Sequence, residues 1–174
     1  MPTIVIPFRG DEAKQRLPGA VRTRIARAML ADVTAAAGEI GRTIVATGRG
    51  QGAAVEEALA RVTETPVLVV NADLPAATPR DLLALLGSIP PEGIALAAAP
   101  DGTTNAMGLE TPSLFRPLYG PGSAQRFLAL SPSRLVEIPN LAADVDTTED
   151  LMQLEERLGP HTAAALAELA ATAR

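Results

Sequence analysis

Three apolar, β-rich runs recur at regular intervals in the first half of the chain: TIVIPF (Thr3 to Phe8), RTIVATG (Arg42 to Gly48) and TPVLVVNAD (Thr65 to Asp73). A fourth run, GIALAAAP (Gly93 to Pro100), is richer in alanine, which also suits helix. Their centres are almost continuously apolar, as expected of strands covered on both faces. Helix-forming stretches lie between them, at Val21 to Ala36, Ala53 to Val62 and Pro79 to Leu86. The last has a clear start, with Thr78 as N-cap, Pro79 at the first helical position and Asp81 in the first turn. The alternation β-α-β-α-β-α-β predicts an α/β fold: a mostly parallel twisted sheet, helices on both faces and right-handed crossovers. Ligands of such sheets sit beyond the carboxyl ends of the strands. The segments expected there are Arg9 to Arg16, Gly48 to Gly52, and Asn71 to Pro75.

The second half is less regular. From Pro100 to Leu141, Gly, Pro, Thr and Ser are dense, and short apolar pieces occur at Ala106 to Leu109, Leu114 to Leu118 and Leu135 to Ile138. A long irregular region inside a compact domain is usually functional or disordered, and this apolar content argues against disorder. Two helices are expected at Thr148 to Leu158 and Thr162 to Ala171, separated by Gly159 and Pro160. The 174 residues fit one domain, 1–174, with no linker and no internal repeat. Aromatic residues make up only 2% of the chain, so the core must be built from Ala, Val, Leu and Ile.

The available side chains narrow the chemistry. There is no cysteine, which excludes disulfides, zinc thiolates and a cysteine nucleophile, and the single histidine, His161, lies near the C-terminus. Catalysis would fall to carboxylates, Arg, Lys, hydroxyls and backbone groups, and a carboxylate site without His or Cys favours hard cations such as Mg²⁺ or Mn²⁺. The net charge of -5 and the lack of a basic block argue against nucleic-acid and membrane partners. RTRIAR (Arg22 to Arg27) reads as the solvated face of a helix. With no signal peptide and no long apolar run, the expected location is the cytoplasm. Arginine fills fourteen of the fifteen basic positions, and Lys14 is the only lysine. Either chance or a need for a compact point charge explains its retention.

Four constellations carry potential chemistry. RGDEAKQRLPG places Arg9, Lys14 and Arg16 on one loop after the first strand. Such a loop can hold a triphosphate through cations and backbone N–H groups, although it is neither a Walker A loop nor G-x-G-x-x-G, and an ordinary polar loop has the same composition. In NADLPAATP, Asp73 follows the apolar strand core and is exposed by the turn at Pro75, as a site carboxylate or as a turn former. PDGTTNAMG and YGPGSAQRF cluster hydroxyls and glycines. Ser123 is expected at the start of a short helix, Ala124 to Leu130, as an N-cap or beside an anion. In LAADVDTTEDL, an extended backbone from Ala143 to Asp146 would point Asp144 and Asp146 to the same side. Thr147 with Asp150 reads as a capping pair. That pair does not require Asp144, so Asp73 and Asp144/Asp146 are candidates for one or two Mg²⁺ ions.

Taken in order, VIPFRGDEAKQRL, NADLPAATPRDL, APDGTTNAMGL, YGPGSAQRFL and DVDTTEDL resemble the 2-phospho-L-lactate / phosphoenolpyruvate guanylyltransferases of deazaflavin coenzyme F-420 biosynthesis. These belong to the molybdopterin nucleotidyltransferase-like enzymes, and the resemblance runs from Pro2 to about Leu158. It implies a nucleotidyltransferase domain that moves GMP from GTP to the phosphate of a small three-carbon acid and releases pyrophosphate. On that resemblance, Thr104, Gly120 and Ser123 would bind the acid, and Asp73, Asp144 and Asp146 would hold Mg²⁺. Arg9, Lys14, Arg16, Gly50 and Gly52 would face the nucleotide, with Lys14, Arg16 and Asp73 as the catalytic set. The implied partners are GTP and the acid, in a monomer or homodimer. Gln51-Gly52 replaces the family's usual Leu-Asn, and Arg9 stands where lysine is usual. The acceptor stays open among phosphoenolpyruvate, 2-phospho-L-lactate and 3-phosphoglycerate, and so does the base. A metal-dependent glycosyltransferase and a non-catalytic nucleotide-binding relative are the alternatives. The first is disfavoured because the mid-chain motif NADLP has a single Asp and the Asp-x-Asp comes late.

Overall fold

The computed structural model describes residues 1–9, 19–130 and 132–172. Its centre is one six-stranded sheet in the order β2-β1-β3-β5-β4-β6. The strands are β1 (Thr3–Pro7), β2 (Arg42–Ala46), β3 (Val67–Val70), β4 (Ile94–Ala98), β5 (Thr104–Leu109) and β6 (Ser133–Leu135). β1 pairs in parallel with β2 and β3, and β4 with β6. β5 runs antiparallel to both of its neighbours, β3 and β4.

Helices α1 (Gly19–Gly38), α2 (Gln51–Leu59) and α3 (Pro79–Leu86) follow the first three strands. α4 (Ser123–Leu128), α5 (Pro139–Ala142), α6 (Thr148–Gln153) and α7 (Pro160–Thr172) complete the chain. The two sheet faces are read directly from strand alternation. Ile4, Ile6, Leu68, Val70, Ala95 and Ala97 pack against Val33 and Ala37 of α1, Leu82 and Leu85 of α3, and Leu141 of α5. Val5, Val67, Val69, Ile94 and Leu96 pack on the other side, against Val55 and Leu59 of α2 and Phe127 of α4. A third cluster joins Ile25 and Met29 of α1 to Val145, Leu151 of α6 and Ala165 of α7.

The mostly parallel sheet with helices on both faces agrees with the sequence, and the bounds of α3 coincide with those expected. β5 is the main departure. The piece Ala106 to Leu109, read as part of an irregular region, is the end of a fully buried central strand. Its direction is set by a tight return from β4, in which Gly102 has a positive φ of 81° and Ala99 N–H donates to Thr103 O at 2.9 Å. Gly108 lets it lie close to its neighbours, because a Cβ there would sit 2.7 Å from Ile89. The expected helix Thr148 to Leu158 is also divided, into α6 and a 3₁₀ turn at Glu155–Arg157.

Candidate active site

The carboxyl end of β3 and the backbone after α5 meet where the sheet opens. Asp73 lies three residues beyond β3, and its backbone carbonyl accepts the N–H of Val145 at 3.0 Å. Val145 is fully buried in the third apolar cluster, which turns its neighbours Asp144 and Asp146 the other way. Asp73, Asp144 and Asp146 each present one carboxylate oxygen, and the three oxygens lie within 4.8 Å of one another on half-buried residues. Three hard oxygen donors at this spacing suit Mg²⁺, whose ligand oxygens at about 2.1 Å lie roughly 3 Å apart when adjacent and about 4.2 Å apart when opposite. The Asp-x-Asp spacing and the strand-end Asp are therefore brought together as expected.

The capping reading of this stretch holds. Thr147 is the N-cap of α6 and accepts from Asp150 N–H at 3.2 Å, while Asp150 Oδ2 accepts from Thr147 N–H at 2.8 Å. The same oxygen also accepts from Asp146 N–H at 2.9 Å. The cap thus fixes the backbone that carries one of the three carboxylates.

Besides a cavity of about 490 Å³ that runs past Asp101, Asp144, Asp146 and Asp150, two cavities meet at Asp73. One, of about 490 Å³, is lined by Asp73, Asp144, Thr104, Gly120, Ser123 and Gly52 among others. The second, of about 250 Å³, is lined by Asp73, Asp146, Phe8, Met29 and Ala72. Arg9, Gln51, Asn71 and Asp73 border both, so the carboxylates stand at the boundary between two compartments. Lys14 and Arg16 lie outside the described residues.

Thr104 and Ser123 form a buried pair. Thr104 N–H donates to Ser123 Oγ at 2.9 Å, and the Ser123 hydroxyl donates to Thr104 Oγ1 at 3.1 Å. This leaves the Thr104 hydroxyl proton as a donor for another partner. Ser123 differs from the expected N-cap. The cap is Gly122, in the left-handed conformation, and Ser123 is the first helical residue. The first two N–H groups of this helix are already used, by the carbonyls of Gly120 (3.0 Å) and Gly102 (3.1 Å), so they are not open to an anion. Gly120 turns with φ 109° at the cavity wall. Arg126 braces the loop before it by donating to the carbonyls of Leu118, Tyr119 and Pro121.

On the facing wall, Gly50 is the α2 N-cap with φ 87°, and Gly52 lies under Pro117, which would be 2.8 Å from a Cβ at that position. The Gln51-Gly52 pair thus has a packing reason for its glycine. Gln51 Nε2 donates to Asn71 Oδ1 at 2.6 Å, and Asn71 Nδ2 donates to Thr104 O at 3.2 Å. The Tyr119 ring packs edge-on against Phe127 at 5.7 Å and lines the cavity that holds Thr104, and burial pushes its phenol above the ordinary value. Asn71, Asn105 and Tyr119 fall within the segments picked out from the sequence, but none of them was given a role of its own there. The available signal was a pair of polar residues, Thr104 and Asn105, at the head of an otherwise apolar strand.

No family model matches the chain. Individual relatives do. It is 30% identical to the phosphoenolpyruvate guanylyltransferase of Roseiflexus sp. (strain RS-1), a match covering 95% of this chain and 90% of that one. It is 31% identical to the 2-phospho-L-lactate guanylyltransferase of Natrialba magadii, covering 87% and 82%. Identity reaches 40% with the phosphoenolpyruvate guanylyltransferase of Sphaerobacter thermophilus, where the match covers 57% of this chain and spans about half (50%) of the relative's length. Among solved structures, the 2-C-methyl-D-erythritol 4-phosphate cytidylyltransferase of Thermus thermophilus superposes with a TM-score of 0.62 at 21% identity, over 88% of this chain and 96% of that one. A nucleotide-diphospho-sugar transferase-type chain from Desulfovibrio desulfuricans G20 reaches 0.70 at 16% identity, over 98% and 96%. At these identities the two structures bear on the fold alone. They agree with the mostly parallel six-stranded architecture.

Proposed function

The chain belongs to the phosphoenolpyruvate / 2-phospho-L-lactate guanylyltransferase family, and from that premise we propose that it transfers GMP from GTP to the phosphate of a phosphorylated three-carbon acid. A phosphate oxygen of the acid attacks the α-phosphorus of GTP. The new bond is P–O–P, the bond to the β-phosphate oxygen breaks, and pyrophosphate leaves with the electron pair. The nucleophile is already an anion, so no general base is required, in keeping with cavities that have no histidine among their described lining residues.

The observation that carries this reading is the position of the Asp73, Asp144 and Asp146 carboxylates, at the boundary of two cavities, one of which also contains Thr104 and Ser123. The main difficulty of the reaction is bringing two polyanions together in line. The three carboxylates would hold Mg²⁺, which when bound supplies charge neutralisation and orients the α-phosphate. Thr104, held by Ser123, would donate its hydroxyl to the acid, and Gly120 would shape the wall beside it. Arg9, which borders both cavities, would meet phosphate charge. Lys14, Arg16, Gly50 and Gly52 complete the nucleotide side of the proposal. Phosphoenolpyruvate and 2-phospho-L-lactate are the acceptors favoured by the relatives, and the role would be in coenzyme F-420 biosynthesis.

Pyrophosphate release, measured with Mg²⁺ for GTP, ATP and CTP against phosphoenolpyruvate, 2-phospho-L-lactate and 3-phosphoglycerate, tests this. Turnover is expected with GTP and one of the first two acids. No turnover with any pair would remove the proposal and leave a nucleotide-binding relative.

A further inference from the structure

Asn105, the second residue of β5, is 2% exposed. Its backbone carbonyl accepts the N–H of Asn71 at 2.9 Å, two residues before Asp73. Its side-chain Nδ2 donates to Asp144 Oδ1 at 3.2 Å, across 39 residues of sequence. One buried residue therefore ties the strand end that carries Asp73 to the carboxylate of Asp144.

We propose that Asn105 is a positioning residue for the cation site, holding the Asp144 carboxylate in the orientation that converges on Asp73 and Asp146. This rests on the reading of the triad as a cation site. Three carboxylates within 4.8 Å repel one another, and each hydrogen bond that an Asp side chain accepts opposes its rotation away from the others. An N–H donor fixes the side-chain rotamer and offsets part of the repulsion before any cation arrives, which lowers the ordering cost of binding. A neutral amide does so without competing for the cation's place, as a lysine or arginine at this position would. Strand alternation gives the pair of residues a division of labour. The Thr104 hydroxyl turns to Ser123, from which it accepts a hydrogen bond, and the Asn105 amide turns to Asp144.

The alternative is that Asn105 only satisfies a buried polar position. That role would alter stability but not cation affinity measured through Asp144. The test uses Mn²⁺ as probe, with the free ion followed by electron paramagnetic resonance in the full chain without nucleotide. The proteins compared are the wild type, N105A, D144N and N105A/D144N, each checked by thermal melting. N105A is expected to weaken Mn²⁺ binding about tenfold or more. In the D144N background the same substitution is expected to change little, because the two residues act as a unit. Wild-type affinity in N105A, or an equal loss in both backgrounds, would overturn the proposal. Should N105A not fold, N105S, whose hydroxyl is too short to make the contact, is compared in the same two backgrounds with the same expectations. If the wild type binds no Mn²⁺, the cation-site reading fails and the proposal fails with it. If D144N weakens binding while N105A does not, only the proposal fails.

Discussion

The peptide N–H of Val145 donates to the carbonyl oxygen of Asp73 at 3.0 Å. This single backbone bond docks the Asp-x-Asp segment on the strand end that carries the third carboxylate. It links two carboxylate sources more than seventy residues apart in sequence. Val145 anchors the segment in the core, and the side chains on either side face the opening.

Asp146→Asn should lower Mg²⁺-dependent pyrophosphate release by on the order of a hundredfold or more, since it removes a charge from the reacting centre. Its circular dichroism and melting should stay near wild type, because the capping bonds run through the Asp146 backbone and not its carboxylate. Near-normal turnover would return the DVDTTED stretch to a purely structural role.

Thr104→Val keeps the side-chain shape and removes the hydroxyl donor. Losing one hydrogen bond to an anion is worth about 1.5–3 kcal/mol, or roughly tenfold and upward in KM for the acid. The KM for GTP should change much less. Equal effects on both substrates would place Thr104 outside the acceptor compartment.

Asp32→Ala should destabilise the fold while leaving kcat intact below the melting range. Asp32 of α1 is buried, and its two carboxylate oxygens accept the N–H groups of His161 and Thr162 at 2.9 Å each, so it caps α7 from another helix. The loss should be about 1–2 kcal/mol, read as a fall in Tm of several degrees for a chain of this size. An unchanged Tm would mean that water replaces the cap without cost.

The Asp101 carboxyl should titrate below its ordinary range, because the Thr103 hydroxyl (2.7 Å) and N–H (2.9 Å) both donate to it. A depressed folded-state pKa contributes stability above the unfolded value and loses it as the pH falls through the folded value. Asp101 is exposed, so the energetic effect is small and the titration itself is the better readout. Thr103→Val should raise the carboxyl toward its ordinary value in a carbon-detected NMR titration. An undiminished shift would assign the cause to the backbone N–H of residue 103 and not to the hydroxyl.

What the sequence made legible was local. The Thr78 cap and the Thr147/Asp150 capping pair form as expected because each lies within one turn of chain, and Asp81 completes the first as a pair. The spacing of Asp144 and Asp146 was readable for the same reason. Asp32 was not, because the cap it supplies to α7 comes from a residue about 130 positions away, and α7 has no acidic residue in its own first turn. The direction of β5 depends on which neighbours receive its backbone bonds, and the short apolar pattern of AMGL does not specify that. Ser123 looked like a cap by position, but the left-handed Gly122 takes that role and frees the hydroxyl to hold Thr104.

The reversed strand β5 separates two walls of the larger cavity in sequence. Thr103 stands at the tip of the β4–β5 hairpin and Thr104 at the start of β5, and the tip touches α4 where Ala124 N–H meets Gly102 O. The carboxylates of Asp73 and Asp146 rest on other segments. The residues of the hairpin tip can therefore be exchanged without altering the segments that carry Asp73 and Asp146.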